Sequence, residues 1–250
     1  MQTKVKTTQE IKAMRESGRL LATVLATLKQ AIQPGMTTKD LAEIAKSELR
    51  GTGGTPTFLG MYGFPDVLCV SVNDEVVHGI PTAKRKITDG DIVSMDFGVT
   101  YEGMITDGAV SVVAGVGPAN RLRLVRDTEA ALYAGISILK DGTRVGDLSN
   151  AIEQVLKQAD YGIVRDMVGH GVGHELHEEP NIPNYGKEGT GPVLKKGMTI
   201  AIEPMATLGD FRVFIDIDGW TVRTNDRSFA AHFEHTVLIT DTGSEILTKL

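Results

Sequence analysis

The chain reads as an α/β (α+β) protein whose two halves repeat one plan. Three observations predict this. Helix-like and strand-like patterns follow each other twice in the same order, similar turn residues punctuate both passes, and matching residues recur at a constant offset. At 250 residues, 41% of them hydrophobic, the chain is long enough for one domain, 1–250, with a substantial core.

The first pass opens with an amphipathic helix over residues 9–31. Pro34-Gly35 turns the chain, and a second helix starts at Thr37 with Asp40 three residues on, which is capping-box spacing. Gly51, Gly53 and Gly54 stop that helix, and strands are predicted over 67–72, 92–100 and 104–113. The second pass has a helix over 119–139, a turn at Asp141-Gly142, a helix over 146–159 and further strands. Gly35 and Gly142, Asp40 and Asp147, Leu41 and Leu148, and Gly90 and Gly197 all differ by 107, so the repeat covers 9–113 and 119–240.

Composition excludes several function classes. A formal charge of −6 arises from interspersed acids and bases, leaving no basic stripe for nucleic acid and no polybasic patch for a membrane. The single cysteine, Cys69, cannot close an internal disulfide, and the start MQTKVKTTQEIKAM lacks the charged-then-apolar layout of a leader. No apolar run approaches the roughly 18 residues of a membrane span. A cytoplasmic protein without an N-terminal extension domain is the expectation.

The offset of 107 also carries Asp96 to Glu203 (203 − 96), acids that each end an apolar strand pattern, IVSMD and TIAIE. A carboxylate in such a place is costly unless a cation or hydrogen bonds compensate it. Asp96 and Asp107 are joined by FGVTYEGMIT, two strand-like stretches about a turn at 101–103, so a hairpin brings them nearly opposite on one face. Adjacent carboxylates need a shared proton or a shared cation. A proton-sharing dyad would have no need of Glu203, Glu234 or the histidines, so a cation is the simpler reading.

The segment GHGVGHELHEEP, 169–180, holds three of the six histidines. His174 and His177 have the wrong spacing for a zincin, and Gly171 and Gly173 oppose the helix that a His170–His174 pair would require. His78 and His177 each open a His-x-x-Pro, at an offset of 99, and Glu234 lies in the strand-like run 230–239.

In order along nearly the whole chain, HGIP at His78, the pair Asp96 and Asp107, GHGVG at His170, HEEP at His177, IEP at Glu203 and EHT at Glu234 resemble the type I methionine aminopeptidases. The resemblance implies the pita-bread fold, two pseudo-symmetric halves each with helices packed on an antiparallel sheet. It also implies that Asp96, Asp107, His170, Glu203 and Glu234 hold two divalent metal ions. Four carboxylates and one imidazole suit Mn, Fe or Co at least as well as Zn, and a bound pair supplies hydroxide near neutral pH.

On the family pattern Asp96 chelates one ion, Asp107 and Glu234 bridge both, and His170 with Glu203 completes the other. Glu203 also shuttles the proton, His177 stands by the scissile carbonyl, and His78 lies near the next amide. Phe64, Cys69, Leu176 and Trp220 match the positions of the methionine pocket. The implied activity is removal of N-terminal methionine from peptides and nascent proteins, near the ribosome and by a monomer. A metal would hold the free amine, and a small second residue would be preferred.

Three positions depart from the pattern. Met61 replaces a usual tyrosine, with Tyr62 beside it, and Ala230 and His232 replace serine and glutamine. They bear on fine specificity and on a monovalent-cation site, not on the ligands. A proline-specific peptidase of the same fold typically carries an additional N-terminal domain. A non-catalytic binding relative, or a creatinase-like metal-free hydrolase, usually lacks part of the ligand set that is complete here.

Overall fold

Two helices open each half, and local hydrogen bonds explain where they start. The computed structural model of the chain describes residues 5–250, so the first four residues of the stretch read for a leader lie outside the described residues. Thr7 accepts the N–H of Glu10, whose carboxylate accepts that of Thr7, capping α1 (Thr8–Ala31). Thr37 and Asp40 cap α2 (Thr38–Leu49) in the same way. In the second half α3 (Ala119–Ser137) precedes α4 (Val145–Gln158), where the Arg144 N–H donates to Asp147.

Backbone pairings recur with the residues. Gly35 donates to the Ile87 carbonyl and Gly142 to that of Leu194, both members shifted by 107 (142 − 35 and 194 − 87). The isolated bridges Thr37–Lys86 and Arg144–Val193 carry the same shift.

Among the described residues, nine strands build the central sheet. They are β1 (Thr55–Pro56), β2 (Cys69–Val72), β3 (Ile92–Tyr101), β4 (Met104–Val113), β5 (Gly169–Gly171), β6 (Glu178–Ile182), β7 (Thr199–Ile202), β8 (Glu234–Ile239) and β9 (Ser244–Ile246). Their order is β1-β3-β4-β8-β7-β5-β6, with β2 on β3 and β9 on β8. All of these pairings are antiparallel, and β4 against β8 makes the strands of the two halves continuous.

Strand parity separates core from site. On β3, Val93, Met95, Phe97 and Val99 pack under Leu20, Leu21 and Leu41 of α1 and α2. Ile200 and Ile202 of β7 and Val237 and Ile239 of β8 pack under Leu124, Leu132, Leu148 and Ile152 of α3 and α4. Each such buried side chain contributes about 1.5–3 kcal/mol. Alternation then turns Asp96, Ala201, Glu234 and Thr236 to the opposite face. That face is covered too, which is why these strands read as unbroken apolar runs.

The strand predicted over 92–100 is present and runs past Asp96 to Tyr101, because Phe97 and Val99 keep packing under α1 and the ladder with β4 runs on. One sequence expectation needs correction. The run 230–239 is two strands, Ala230–His232 and β8, that leave each other at Phe233. The partner chain breaks at the same level, because Pro204 has no N–H to continue the ladder; Ala230–His232 pairs with Met205–Thr207, and β8 pairs with β7.

Candidate metal centre

Register, not sequence proximity, gathers the acids. Cys69 pairs with Asp96, Asp96 with Ala109 and Ala109 with Glu234, so these residues form one row across β2, β3, β4 and β8. Asp107 pairs with Gly98 and therefore stands diagonal to Asp96 on the same face. The hairpin between them turns at Glu102 and Gly103, with φ of 48° and 77°, the two-residue turn that matches strand twist. Thr236 pins Asp107 from β8: its hydroxyl accepts the Asp107 N–H at 2.9 Å and donates to the Asp107 carbonyl at 2.8 Å. Glu203 follows β7 at the Pro204 break, and His170 of β5 pairs with Ala201.

Asp107, His170 and Glu234 each place one ligand atom within 4.8 Å of the others. Glu203 Oε1 lies 3.7 Å from His170 Nε2. His170 Nδ1 is 2.9 Å from the Gly171 carbonyl, which can only accept; Nδ1 therefore carries the proton and the Nε2 lone pair faces the acids.

The charge balance shows what the cluster lacks. Burial, then the charges of Asp107 and Glu203, hold the Asp96 carboxyl well above its ordinary range. Burial and Glu203 raise Asp107 to about 8, and burial with Asp107 and Glu203 raises Glu234. Burial also acts to raise Glu203, but His232, His170 and His78 outweigh it and keep Glu203 low. Asp96 Oδ1 and Glu234 Oε1 are buried with no hydrogen-bond partner among the described residues. Repelling carboxylates with unpartnered oxygens beside a histidine lone pair fit divalent cations of hard or borderline character.

One cavity of about 140 Å³ joins these acids to an apolar wall. All five predicted ligands line it, as do His78, His177, Phe64, Cys69, Leu176 and Trp220. Phe64 and Trp220 meet edge to face with ring centres 5.2 Å apart. Burial, then the charge of Asp96, pushes the Cys69 thiol up, so it stays neutral and serves as a small apolar surface. The His177 ring stands edge-on to His170 at 4.6 Å. Burial, followed by His170, lowers His177 to about 4, and burial lowers His78; both are neutral near neutral pH.

Three further residues, Phe58, Met61 and Tyr62, also line the cavity. Met61, with Tyr62 beside it, departs from the family pattern in the sequence, whereas Phe58 carries no signal there. His232 departs from that pattern too, at a position expected to bear on fine specificity and a monovalent-cation site. Its buried ring nitrogen Nε2 lies 3.5 Å from Glu203 Oε2 and 4.0 Å from Glu234 Oε2, too long for a firm hydrogen bond. Ala230, buried nearby, offers no side-chain oxygen.

The family model described as metallopeptidase family M24 matches residues 12–241. The chain belongs to metallopeptidase family M24. Like other M24 proteins it has the pita-bread fold and is a metal-dependent peptide hydrolase. Within M24 it is 43% identical to a methionine aminopeptidase of Clostridium perfringens, over 98% of each chain. A solved methionine aminopeptidase from Thermotoga maritima is 45% identical and superposes with a TM-score of 0.98, covering 99% of this chain and 100% of that one. A prolidase from Pyrococcus furiosus, 23% identical with a TM-score of 0.78, shares the fold; the match covers 98% of this chain and 65% of that one.

Proposed function

We propose that this M24 peptidase removes N-terminal methionine from peptides and newly made proteins whose second residue is small. The observation that carries the reading is a cavity in which the carboxylate–histidine cluster meets an apolar wall of Phe64, Cys69, Leu176 and Trp220. Relatives named methionine aminopeptidase that match from end to end add support.

Asp96, Asp107, His170, Glu203 and Glu234 would hold two divalent ions, of Mn, Fe, Co or Zn. Ions bound there supply Lewis acidity and a water acidic enough to attack an amide near neutral pH. Glu203, held below its ordinary range, accepts a proton at its carboxylate and returns it to the leaving amine. Neutral His177 donates its N–H to the oxyanion that forms at the scissile carbonyl, and His78 meets the next amide. Phe64 and Trp220 orient the methionine side chain. The acids that line the cavity favour a free amine over an acetylated one. The natural setting on this reading is the cytoplasm, where a monomer meets nascent chains near the ribosome.

The test is hydrolysis of Met-Ala-Ser by the purified protein with Mn²⁺ or Co²⁺. Methionine is released, and the N-acetylated peptide is spared. Release of Xaa from Xaa-Pro instead, or no hydrolysis with any divalent metal, would sink the proposal.

A further inference from the structure

Leu176 and His177 reach the cavity from a short loop whose shape depends on one carboxylate. Glu178 Oε1 accepts the N–H of His174 at 2.7 Å and of Glu175 at 3.3 Å, which closes the loop on itself. Its other oxygen accepts from Lys6 Nζ at 2.7 Å. His174 Nε2 meets Glu10 Oε1 at 2.7 Å, and Glu10 is the partner of Thr7 in the capping box of α1. The Lys6 backbone N–H donates to Gly197 at 2.8 Å, just before β7, so the segment that grips the loop is itself anchored.

The pair between Lys6 and Glu178 is deeply buried, with side-chain exposures of 0% and 6%. Such a pair cannot be opened on one side without stranding a charge, which makes it a stiff link. His177 needs one. Among the described residues its ring makes aromatic contacts with His170 and Tyr62 but no hydrogen bond, so its position is inherited from the loop backbone. Lys6, Glu10, His174 and Glu178 do not line the cavity.

We propose that Lys6 and Glu10 are positioning residues. Through Glu178 and His174 they latch the N-terminal segment to the 173–178 loop, and the latch holds Leu176 and His177 at the substrate. The inference rests on the role proposed above for His177. It makes a segment far from the ligands in sequence a determinant of turnover.

A double-mutant cycle decides it, using Glu10→Ala, His177→Ala, the double variant and the parent chain, each loaded with Mn²⁺ and assayed on Met-Ala-Ser. Glu10→Ala lowers kcat by about 10-fold in the parent and by under about 2-fold when His177 is already absent, because a displaced donor can be lost only once. Loss of the α1 cap would instead act alike in both backgrounds. Hydrogen exchange of the same loaded proteins gives a readout independent of turnover: amides of 173–178 exchange about 10-fold faster in Glu10→Ala and in Lys6→Met, while β3 and β4 stay protected.

Equal kcat losses in both backgrounds, no loss in either, or unchanged exchange in the loop with Glu10→Ala overturns the latch. Glu10→Ala keeps the test open if Lys6→Met fails to fold. Should the parent release no methionine, the functional reading fails, and the exchange measurement still decides whether the latch exists.

Discussion

Replacing Glu234 by Gln should stabilise the metal-free protein and abolish its response to metal. Asp107 and Glu234 present ligand atoms within 4.8 Å of each other. Two unit charges at that distance repel by about 3 kcal/mol at an effective dielectric of about 20. Gln removes one charge at nearly constant volume but keeps a polar group where Glu234 Oε1 has no partner, returning about 1 kcal/mol of the gain. The net is about 1–3 kcal/mol, or roughly 3–10 °C in Tm for a chain of this size.

The pH dependence has a definite sign. Asp107 and Glu234 are raised in the folded state, Asp107 to about 8, so the folded protein binds more protons than the unfolded chain between the ordinary carboxylate range and that value. Their contribution is present at acid pH and lost as pH rises through about 8. The parent should therefore lose stability faster than the variant, with the widest gap near pH 9. Thermal unfolding in EDTA from about pH 5 to about pH 9, repeated with Mn²⁺, measures both effects. The parent gains about 2.7 kcal/mol at a hundredfold excess of metal over Kd, and the variant gains little. A Glu234→Gln protein that melts at or below the parent in EDTA near pH 9 would refute the electrostatic account of the cluster.

Three other outcomes are expected. His177→Ala slows turnover by about 10²-fold at constant metal content, read by steady-state kinetics alongside metal analysis; a parallel fall in metal would show that His177 is no mere donor. Gly169→Ala adds a Cβ 2.4 Å from the Ala201 carbonyl and 3.1 Å from Ile182 Cβ, pushing β5 from its neighbours; it lowers metal-free Tm. The overpacking amounts to about 1–3 kcal/mol, and the metal Kd by calorimetry weakens with it because His170 moves too; an unchanged Kd would mean that the ligand does not follow its strand. Trp220→Ala removes half of the Phe64–Trp220 pair and lowers kcat/KM for Met-Ala-Ser by about 10–100-fold; a loss carried wholly by kcat would contradict a pocket role.

Local rules made much of this protein legible in its sequence. The 107-residue repeat, the capping box at Thr37 and Asp40, the hairpin between Asp96 and Asp107 and the helices that open each half follow from spacing and turn chemistry, which act over a few residues. His170 and Glu234 were legible through resemblance, since no local pattern distinguishes a ligand histidine from a structural one. What only the tertiary structure decided is long-range register. The row Cys69, Asp96, Ala109, Glu234 is assembled from four strands, and nothing in the period of any one strand specifies which residue of a distant strand will stand beside it. For the same reason His232 beside Glu203, and Lys6 against Glu178, appear only once the chain has closed on itself: burial couples charges that are tens to hundreds of residues apart, and sequence periodicity has no access to that distance.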